Sequence, residues 1–166
     1  PNVESIYDVP LNFEREALSD RILGKLALRP RKKDLKDWKK LVANIHRPSG
    51  EVRIGIVGKY FGSGEFVLED SYISVIEAVK HAAAHLHKKP AIEWLNSEEF
   101  EGGARRKANL KKLLSYHGII VPGGFGERGV EGKIAAIRIC REKRIPYFGL
   151  CYGMQLAVVE YARSVA

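Results

Sequence analysis

The sequence predicts an α/β fold with a doubly wound, mostly parallel sheet, preceded by a helical segment. From residue 51 onward, short β-branched runs alternate with amphipathic helical patterns, as they do in parallel sheets. Two glycine-rich segments, residues 122–129 and 149–153, lie at the ends of predicted strands, where such sheets bind their ligands. A length of 166 residues with 45% hydrophobic side chains suffices for one buried core.

Composition excludes the membrane-spanning and disulfide-rich classes. No apolar run approaches the ~20 residues that a membrane span needs, and no signal peptide opens the chain. The two cysteines, Cys140 and Cys151, are too few for a disulfide scaffold and lack metal-ligand spacing. We therefore expect a soluble protein of a reducing compartment, the cytoplasm, with no metal site.

The net charge of +8 is concentrated between residues 21 and 47. Only Trp38 lies near these basic side chains, so they are not interleaved with an aromatic stripe. The pattern favours a solvated face, or a surface against another domain or an anionic ligand, over nucleic-acid binding.

Residues 1–50 are predicted to form short helices that pack on a neighbouring domain. The stretch up to Pro10 is predicted to be extended, because a helix does not continue through proline. Residues 11–28 carry apolar positions for one or two short helices, and Asp34 is predicted to cap a third. A Pro/Gly turn then ends the segment, which separates it from a domain at residues 51–166.

The domain is predicted to alternate four strands with four helices. Strands are expected at residues 52–58, 91–95, 118–121 and 145–150. Helices are expected at residues 70–83, with Asp70 or Ser71 as cap, and at 104–116, 130–143 and 153–163.

Residues 149–153, Gly-Leu-Cys-Tyr-Gly, have the spacing of a nucleophile elbow with a thiol in place of serine. A nucleophile on this tight strand-to-helix turn needs small neighbours, which Gly149 and Gly153 supply. The helix N-terminus favours the thiolate form of Cys151, and the N–H of Tyr152 points to where an oxyanion would form. The alternative is a structural cysteine buried under a glycine turn.

Residues 122–129, Pro-Gly-Gly-Phe-Gly-Glu-Arg-Gly, form a second glycine-rich segment after the third predicted strand. Its backbone amides can make either a phosphate nest or the other half of an oxyanion hole. It lacks the Gly-Lys-Ser/Thr of a P-loop and the downstream acid of a dinucleotide fingerprint. A plain loop is the alternative, but a cysteine elbow on the neighbouring strand end favours the oxyanion hole.

Three other candidates are weaker. Lys59 follows the first strand and either lines the same cleft or lies on the surface. His81 and His85 have the i,i+4 spacing of a metal face, but no third ligand accompanies them, which favours exposed helix histidines. Cys140 lies in a helix among apolar residues and is interpreted as structural.

Residues 118–163, which contain VPGGFG, RGVEGKI and GLCYGMQ, resemble the glutaminase domain of the CTP synthase family. Residues 54–60 (IGIVGKY), 70–82 (DSYISVIEAVKHA) and 5–14 (SIYDVPLNFE) continue the resemblance in the family's order. The resemblance implies a flavodoxin-like class I glutamine amidotransferase fold. It also implies that residues 1–50 are the end of a synthetase domain plus an interdomain linker.

The resemblance implies a ligase of pyrimidine nucleotide biosynthesis. Members hydrolyse glutamine in this domain and pass ammonia to a synthetase domain, where ATP and Mg²⁺ activate UTP for amination to CTP. GTP is implied as an allosteric activator acting at a lid that begins at Phe125. Asn2 and Val3 match the ATP-contacting edge of the synthetase domain, and a homotetramer is implied for the full-length protein.

The resemblance also assigns the glutaminase residues. Cys151 matches the nucleophile that forms a glutamyl thioester. The backbone N–H groups of Gly124 and Tyr152 match the oxyanion hole. The glutamine-binding run matches Tyr152, Gly153, Met154 and Gln155.

The sequence departs from the family pattern in three places. In the family the elbow commonly reads GICLGMQ, whereas this sequence has Leu150 and Tyr152 in place of Ile and Leu. A contribution to the oxyanion hole that is made through a backbone N–H survives such a change of side chain. Residues 61–69 are longer than the usual link and are expected to form a surface loop near the lid. The His-x-Glu pair that supplies the family's base is absent, since all five histidines precede Cys151.

We therefore expect an internal fragment whose isolated chain has little or no glutaminase turnover. Two other classes stay open. One is a non-catalytic, truncated amidotransferase-like module for binding or interaction. The other is redox or isomerase chemistry on a related fold, which the family motifs disfavour.

Overall fold

The computed structural model of the protein describes residues 3–59, 72–124 and 126–166. Within these ranges, helices and strands alternate from residue 51 onward, as predicted. The elements in chain order are α1 (Val9–Arg15), α2 (Leu18–Lys25), α3 (Lys36–His46), β1 (Glu51–Gly58), α4 (Ile73–His85), β2 (Lys89–Asn96), α5 (Arg106–Lys112), β3 (Gly118–Val121), α6 (Val130–Lys143), β4 (Tyr147–Gly149) and α7 (Tyr152–Ser164).

The four strands form one parallel sheet in the order β2-β1-β3-β4. Gly58 at the end of β1 pairs with Asn96 of β2, and Ile56 pairs with Ile120 of β3. At the other edge, Val121 pairs with Gly149 of β4. The strand order reverses at β1, so the sheet has a switch point between the carboxyl ends of β1 and β3. The predicted α/β class with a doubly wound parallel sheet is confirmed.

The main core lies where α6 and α7 pack against the sheet. Val57, Ile119 and Val121 are almost completely buried on β1 and β3. The helices contribute Ile134, Ala136, Ile137, Cys140 and Leu156 to the same cluster. Burial raises the pKa of the Cys140 thiol to about 12, which fits its interpretation as a structural residue.

The first helix corrects one expectation. The stretch up to Pro10 was predicted to be extended, but α1 begins at Val9 with proline in its first turn. Proline is tolerated there because the first N–H groups of a helix have no intrahelical acceptor. Asp34 was predicted to cap α3, but the N-cap position is Leu35, which makes no side-chain cap hydrogen bond. The Oδ1 of Asp34 instead accepts a hydrogen bond of 3.1 Å from the N–H of Lys36, the first residue of the helix.

The segment before β1 packs loosely on α4. Among its described residues only Val42 is buried. The Trp38 indole donates a hydrogen bond of 2.8 Å to the carbonyl of Tyr7, and the Tyr7 hydroxyl donates one of 3.0 Å to Glu77 of α4. Apolar side chains of α1 and α2, including Phe13 and Ile22, stay exposed. The boundary at residue 50 and the linker assignment remain predictions.

Candidate active site

The carboxyl ends of three neighbouring strands place the predicted site residues at one edge of the sheet. Lys59 follows β1, Gly123 and Gly124 follow β3, and Cys151 follows β4. The candidate site is therefore built at and beside the switch point, where parallel sheets bind their ligands.

Cys151 lies on a tight turn between β4 and α7, with its side chain exposed. Its backbone has φ 53° and ψ −110°, a strained conformation for a residue other than glycine. The turn is fixed on both sides, since the N–H of Leu150 donates to the carbonyl of Val121 at 2.9 Å and the N–H of Gln155 donates to that of Cys151 at 3.2 Å. This geometry is that of a nucleophile elbow, and the alternative of a buried cysteine fits Cys140 instead.

Both glycines that flank the nucleophile are required by packing. A Cβ at Gly149 would lie 2.6 Å from the backbone nitrogen of Met154. A Cβ at Gly153 would lie 1.9 Å from the carbonyl oxygen of Val121. Because both neighbours are backbone atoms, no side-chain motion relieves either clash. The two glycines let α7 start directly on β3 and β4.

The glycine loop after β3 runs alongside the nucleophile. A Cβ at Gly123 would lie 3.4 Å from the Cβ of Cys151 and 3.7 Å from its Sγ. The hydroxyl of Tyr72 donates a 3.4 Å hydrogen bond to the Gly123 carbonyl and so joins this loop to the start of α4. The structure thus brings the segment of Gly124 next to the elbow. Phe125 lies outside the described residues.

Two buried lysines flank the Tyr152 ring. The Nζ of Lys59 lies 5.6 Å and that of Lys133 lies 5.9 Å from the ring centroid. Lys133 is 0% exposed, and its Nζ donates to the Pro122 carbonyl at 3.4 Å. Burial and then the charge of Lys59 lower the pKa of Lys133 to about 8, and burial lowers that of Lys59.

The sequence left Lys59 open between the cleft and the surface, and Lys133 was missed. One signal was present, because Lys133 lies three residues after Val130 and four before Ile137, on the apolar face of α6. A lysine at an inward position of a helix marks either a long side chain reaching the surface or a buried cation.

The remaining predicted residues differ in burial and in their distance from the elbow. Gly153 is buried against the sheet, whereas Met154 and Gln155 are exposed on the first turn of α7. Val3 is exposed, and the residues that follow it line a cavity of about 840 Å³ together with one side of α4 and the start of β2. Asn2 and the predicted loop at residues 61–69 lie outside the described residues.

Of the two predicted helix histidines, His81 belongs to the contact with the N-terminal segment, and His85 is exposed. The Nε2 of His81 hydrogen-bonds to the Tyr7 hydroxyl, and within the segment the Nε2 of His46 hydrogen-bonds to Asp8 at 2.8 Å. In the part of the chain that the structure describes, no group of three or more His, Cys, Asp or Glu side chains is arranged to hold a metal ion.

Comparison with known proteins identifies relatives over almost the whole chain. The chain is 46% identical to the CTP synthase of Sulfolobus acidocaldarius and 47% identical to that of Methanococcus maripaludis, in alignments that cover 99% of this chain and 30% of each relative. A solved structure titled as the glutaminase domain of Trypanosoma brucei CTPS with bound acivicin matches with a TM-score of 0.61 and 44% identity. That match covers 69% of this chain and 41% of the other.

These matches confirm the resemblance to the CTP synthase family, of whose members the chain spans about three-tenths. The family model "Glutamine amidotransferase class-I" matches residues 67–166, more than half of the chain. The match includes the cysteine elbow and the glycine loop that faces it. The chain therefore belongs to the class-I glutamine amidotransferase family.

Proposed function

We propose that this chain is the nucleophile-bearing part of a glutamine-hydrolysing CTP synthase. The observation that carries the proposal is the Cys151 elbow. Its thiol is exposed, its backbone is held at positive φ, and the Gly123–Gly124 loop packs against it. The similarity to CTP synthases over 99% of the chain supports that enzyme over other glutamine-dependent ones.

In the proposed reaction, the Cys151 thiolate attacks the side-chain amide carbon of glutamine. The carbonyl electron pair moves onto oxygen, which the backbone N–H groups of Gly124 and Tyr152 stabilise. The C–N bond then breaks, and nitrogen takes up a proton and leaves as ammonia. Water attacks the resulting thioester through a second oxyanion, which releases glutamate and restores the thiol. Gly153, Met154 and Gln155 are proposed to line the glutamine pocket.

Proton transfer in this reaction needs a base and a residue that orients the base. All five histidines precede Cys151, and two of them hydrogen-bond to residues of the N-terminal segment, His46 to Asp8 and His81 to Tyr7. We propose that the base belongs to a part of the full-length protein outside this sequence. The isolated chain is then expected to show little or no turnover. Steady ammonia release from glutamine by the purified chain would contradict this expectation.

The amination of UTP is assigned to a synthetase part that binds ATP and Mg²⁺. The described residues of this chain contain no group of three or more His, Cys, Asp or Glu side chains arranged to hold a metal ion. GTP is proposed to activate the reaction at a lid beginning at Phe125, and Asn2 and Val3 are proposed to lie at the ATP edge. The full-length protein is proposed to be a cytoplasmic homotetramer. Within the described ranges, no helix has the length and apolar character of a membrane span.

The test compares two cysteine variants of the full-length protein. Cys151→Ser is expected to lower glutamine-dependent CTP formation by about a thousandfold or more, because the hydroxyl is a much weaker nucleophile. CTP formation from added ammonium salt is expected to stay within about twofold. Cys140→Ala, which alters the buried thiol, is the matched control and is expected to keep both activities. Equal loss of both activities in Cys151→Ser would contradict the proposal.

A further inference from the structure

One buried cation touches both sides of the proposed oxyanion site. The Nζ of Lys133 donates to the carbonyl of Pro122, two residues before Gly124, at 3.4 Å. It also lies 5.9 Å from the ring centroid of Tyr152, within the range of a cation–π contact. Gly124 and Tyr152 are the two residues whose backbone N–H groups are proposed to stabilise the oxyanion. A single side chain of α6 therefore links the segments that carry both donors.

The burial of Lys133 works against stability. The side chain is 0% exposed, and the charged group acting on it is a second cation, that of Lys59. In the described part of the chain no carboxylate forms an ion pair with Lys133. A buried charge without an opposite partner is unfavourable, and an apolar side chain of similar volume would suit the position better. A role in catalysis would account for keeping a lysine there.

The backbone that carries Lys133 is held tightly. A Cβ at the preceding Gly132 would lie 1.8 Å from the carbonyl oxygen of Ser97, so α6 packs directly on the segment after β2. Lys59 contacts the other part of the glycine loop and the same ring. It donates a hydrogen bond to the Gly126 carbonyl and lies 5.6 Å from the centroid of the Tyr152 ring. The loop and the ring are thus fixed from two sides, and Lys133 contacts both from the buried side.

We propose that Lys133 is a positioning residue that ties the Pro122–Gly124 loop to the Tyr152 ring and so holds the two backbone donors of the oxyanion site at a fixed separation. This inference rests on the proposed glutaminase function. It assigns to Lys133 no contact with glutamine. Its effect is therefore expected in the turnover number rather than in the binding of glutamine.

The test uses Lys133→Met in the full-length protein, with Lys143→Met on the exposed end of the same helix as the matched control. Lys133→Met is expected to lower kcat for ammonia release from glutamine by about tenfold or more, with KM changed less than about twofold. Alkylation of Cys151 by iodoacetamide, a displacement that forms no oxyanion, is expected to keep its rate. The melting temperature is expected to be no lower than that of the wild type.

A double-mutant cycle with Tyr152→Leu tests the link to the ring. Once the ring is absent, Lys133→Met is expected to lower kcat by less than it does in the wild type, because the two changes break one contact. Tyr152→Phe, which keeps the ring, is expected to retain most of kcat. The two Tyr152 variants keep the proposal testable if Lys133→Met does not fold.

Three outcomes would overturn the inference. The first is a kcat of Lys133→Met equal to that of Lys143→Met. The second is a parallel fall of kcat, alkylation rate and melting temperature, which would show that Lys133 serves the fold alone. The third is a wild-type protein that releases no ammonia from glutamine, which would overturn the proposed function together with the inference.

Discussion

At the scale of single residues, the site depends on backbone atoms held in unusual positions. Cys151 has a positive φ, and a Cβ at Gly123 of the loop that faces it would lie in van der Waals contact with the nucleophile, 3.7 Å from its Sγ. Such strain persists only where the surroundings enforce it. Here they include the hydrogen bond from Leu150 to Val121 and the buried ammonium of Lys133 beneath Tyr152.

The lowered pKa of Lys133 predicts how its contribution to stability varies with pH. Burial and Lys59 lower this pKa from 10.5 to about 8, so the folded protein loses the proton at a lower pH than the unfolded chain. Between these values the unfolded chain binds more protons, and the free energy of unfolding therefore rises with pH. Relative to Lys133→Met, the wild type is expected to gain up to about 3 kcal/mol across this window.

The measurement is native-state hydrogen exchange of the α6 and α7 amides at several pH values above 7.5, in the wild type and in Lys133→Met. Taking the difference between the two proteins removes the effect of other groups that titrate at high pH, such as Cys140. A difference that does not change with pH would show that the ammonium is not desolvated as the structure indicates.

At the scale of elements, the packing of α7 on β3 sets the position of the nucleophile. Gly153→Ala places a methyl group 1.9 Å from the Val121 carbonyl oxygen, so the helix must move away from the sheet. We expect the free energy of unfolding to fall by about 2 kcal/mol or more. Gly24→Ala in α2, where nothing lies within 4 Å, is the control and is expected to stabilise by about 0.5 to 1 kcal/mol. Urea unfolding measures the free energy of unfolding of both variants. Equal effects of the two substitutions would contradict the close approach of α7 to β3.

Two ion pairs join α6 to α7. One contains a buried carboxylate and the other is exposed, so their expected contributions to the free energy of unfolding differ. Arg141 binds the 1% exposed carboxylate of Glu160 through two hydrogen bonds of 2.9 and 2.8 Å. Arg141→Ala removes both of these hydrogen bonds and leaves the buried carboxylate with its hydrogen bond to Ser164, so we expect a loss of about 3 kcal/mol. Arg163 and Glu131 form an exposed pair at 2.9 Å, and Arg163→Ala is expected to change stability by less than about 1 kcal/mol.

The ion pair between Arg141 and Glu160 also predicts how the stability of the protein changes as the pH falls. Its hydrogen bonds with Arg141 hold the pKa of Glu160 below the ordinary value of 4.5. The folded state then favours the ionised carboxylate, and this contribution is lost as pH falls through the lowered pKa. Unfolding measured from pH 7 to 3 is expected to show a steeper loss in the wild type than in Arg141→Ala. An identical pH dependence in the two proteins would contradict the role of the pair.

At the scale of the whole molecule, the sequence predicted the alternation of strands and helices well because each element has its own apolar period. Residues 130–143 were predicted as a helix and form α6 with the same bounds, while the strand predicted at 91–95 extends to Lys89–Asn96. The elbow was predictable because its glycines meet a local steric requirement. The order β2-β1-β3-β4 depends on long-range pairing, and it was not predicted from the sequence.

Two features were not predicted, for different physical reasons. Pro10 suggested an extended segment, but its place in the first turn makes it compatible with α1. The burial of Lys133 depends on where α7 sets the Tyr152 ring, nineteen residues away in the chain. A lysine in a helical pattern is ordinarily assigned to the surface, so its role at the site emerged only from the folded structure.

Covalent labelling tests whether Cys151 is a nucleophile preformed for glutamine. The full-length protein is treated with a chloroketone analogue of glutamine, and the modified peptides are identified by mass spectrometry. We predict rapid modification of Cys151, protection by added glutamine, and no modification of the buried Cys140. Modification that is equal at the two cysteines, or that glutamine does not slow, would contradict this prediction.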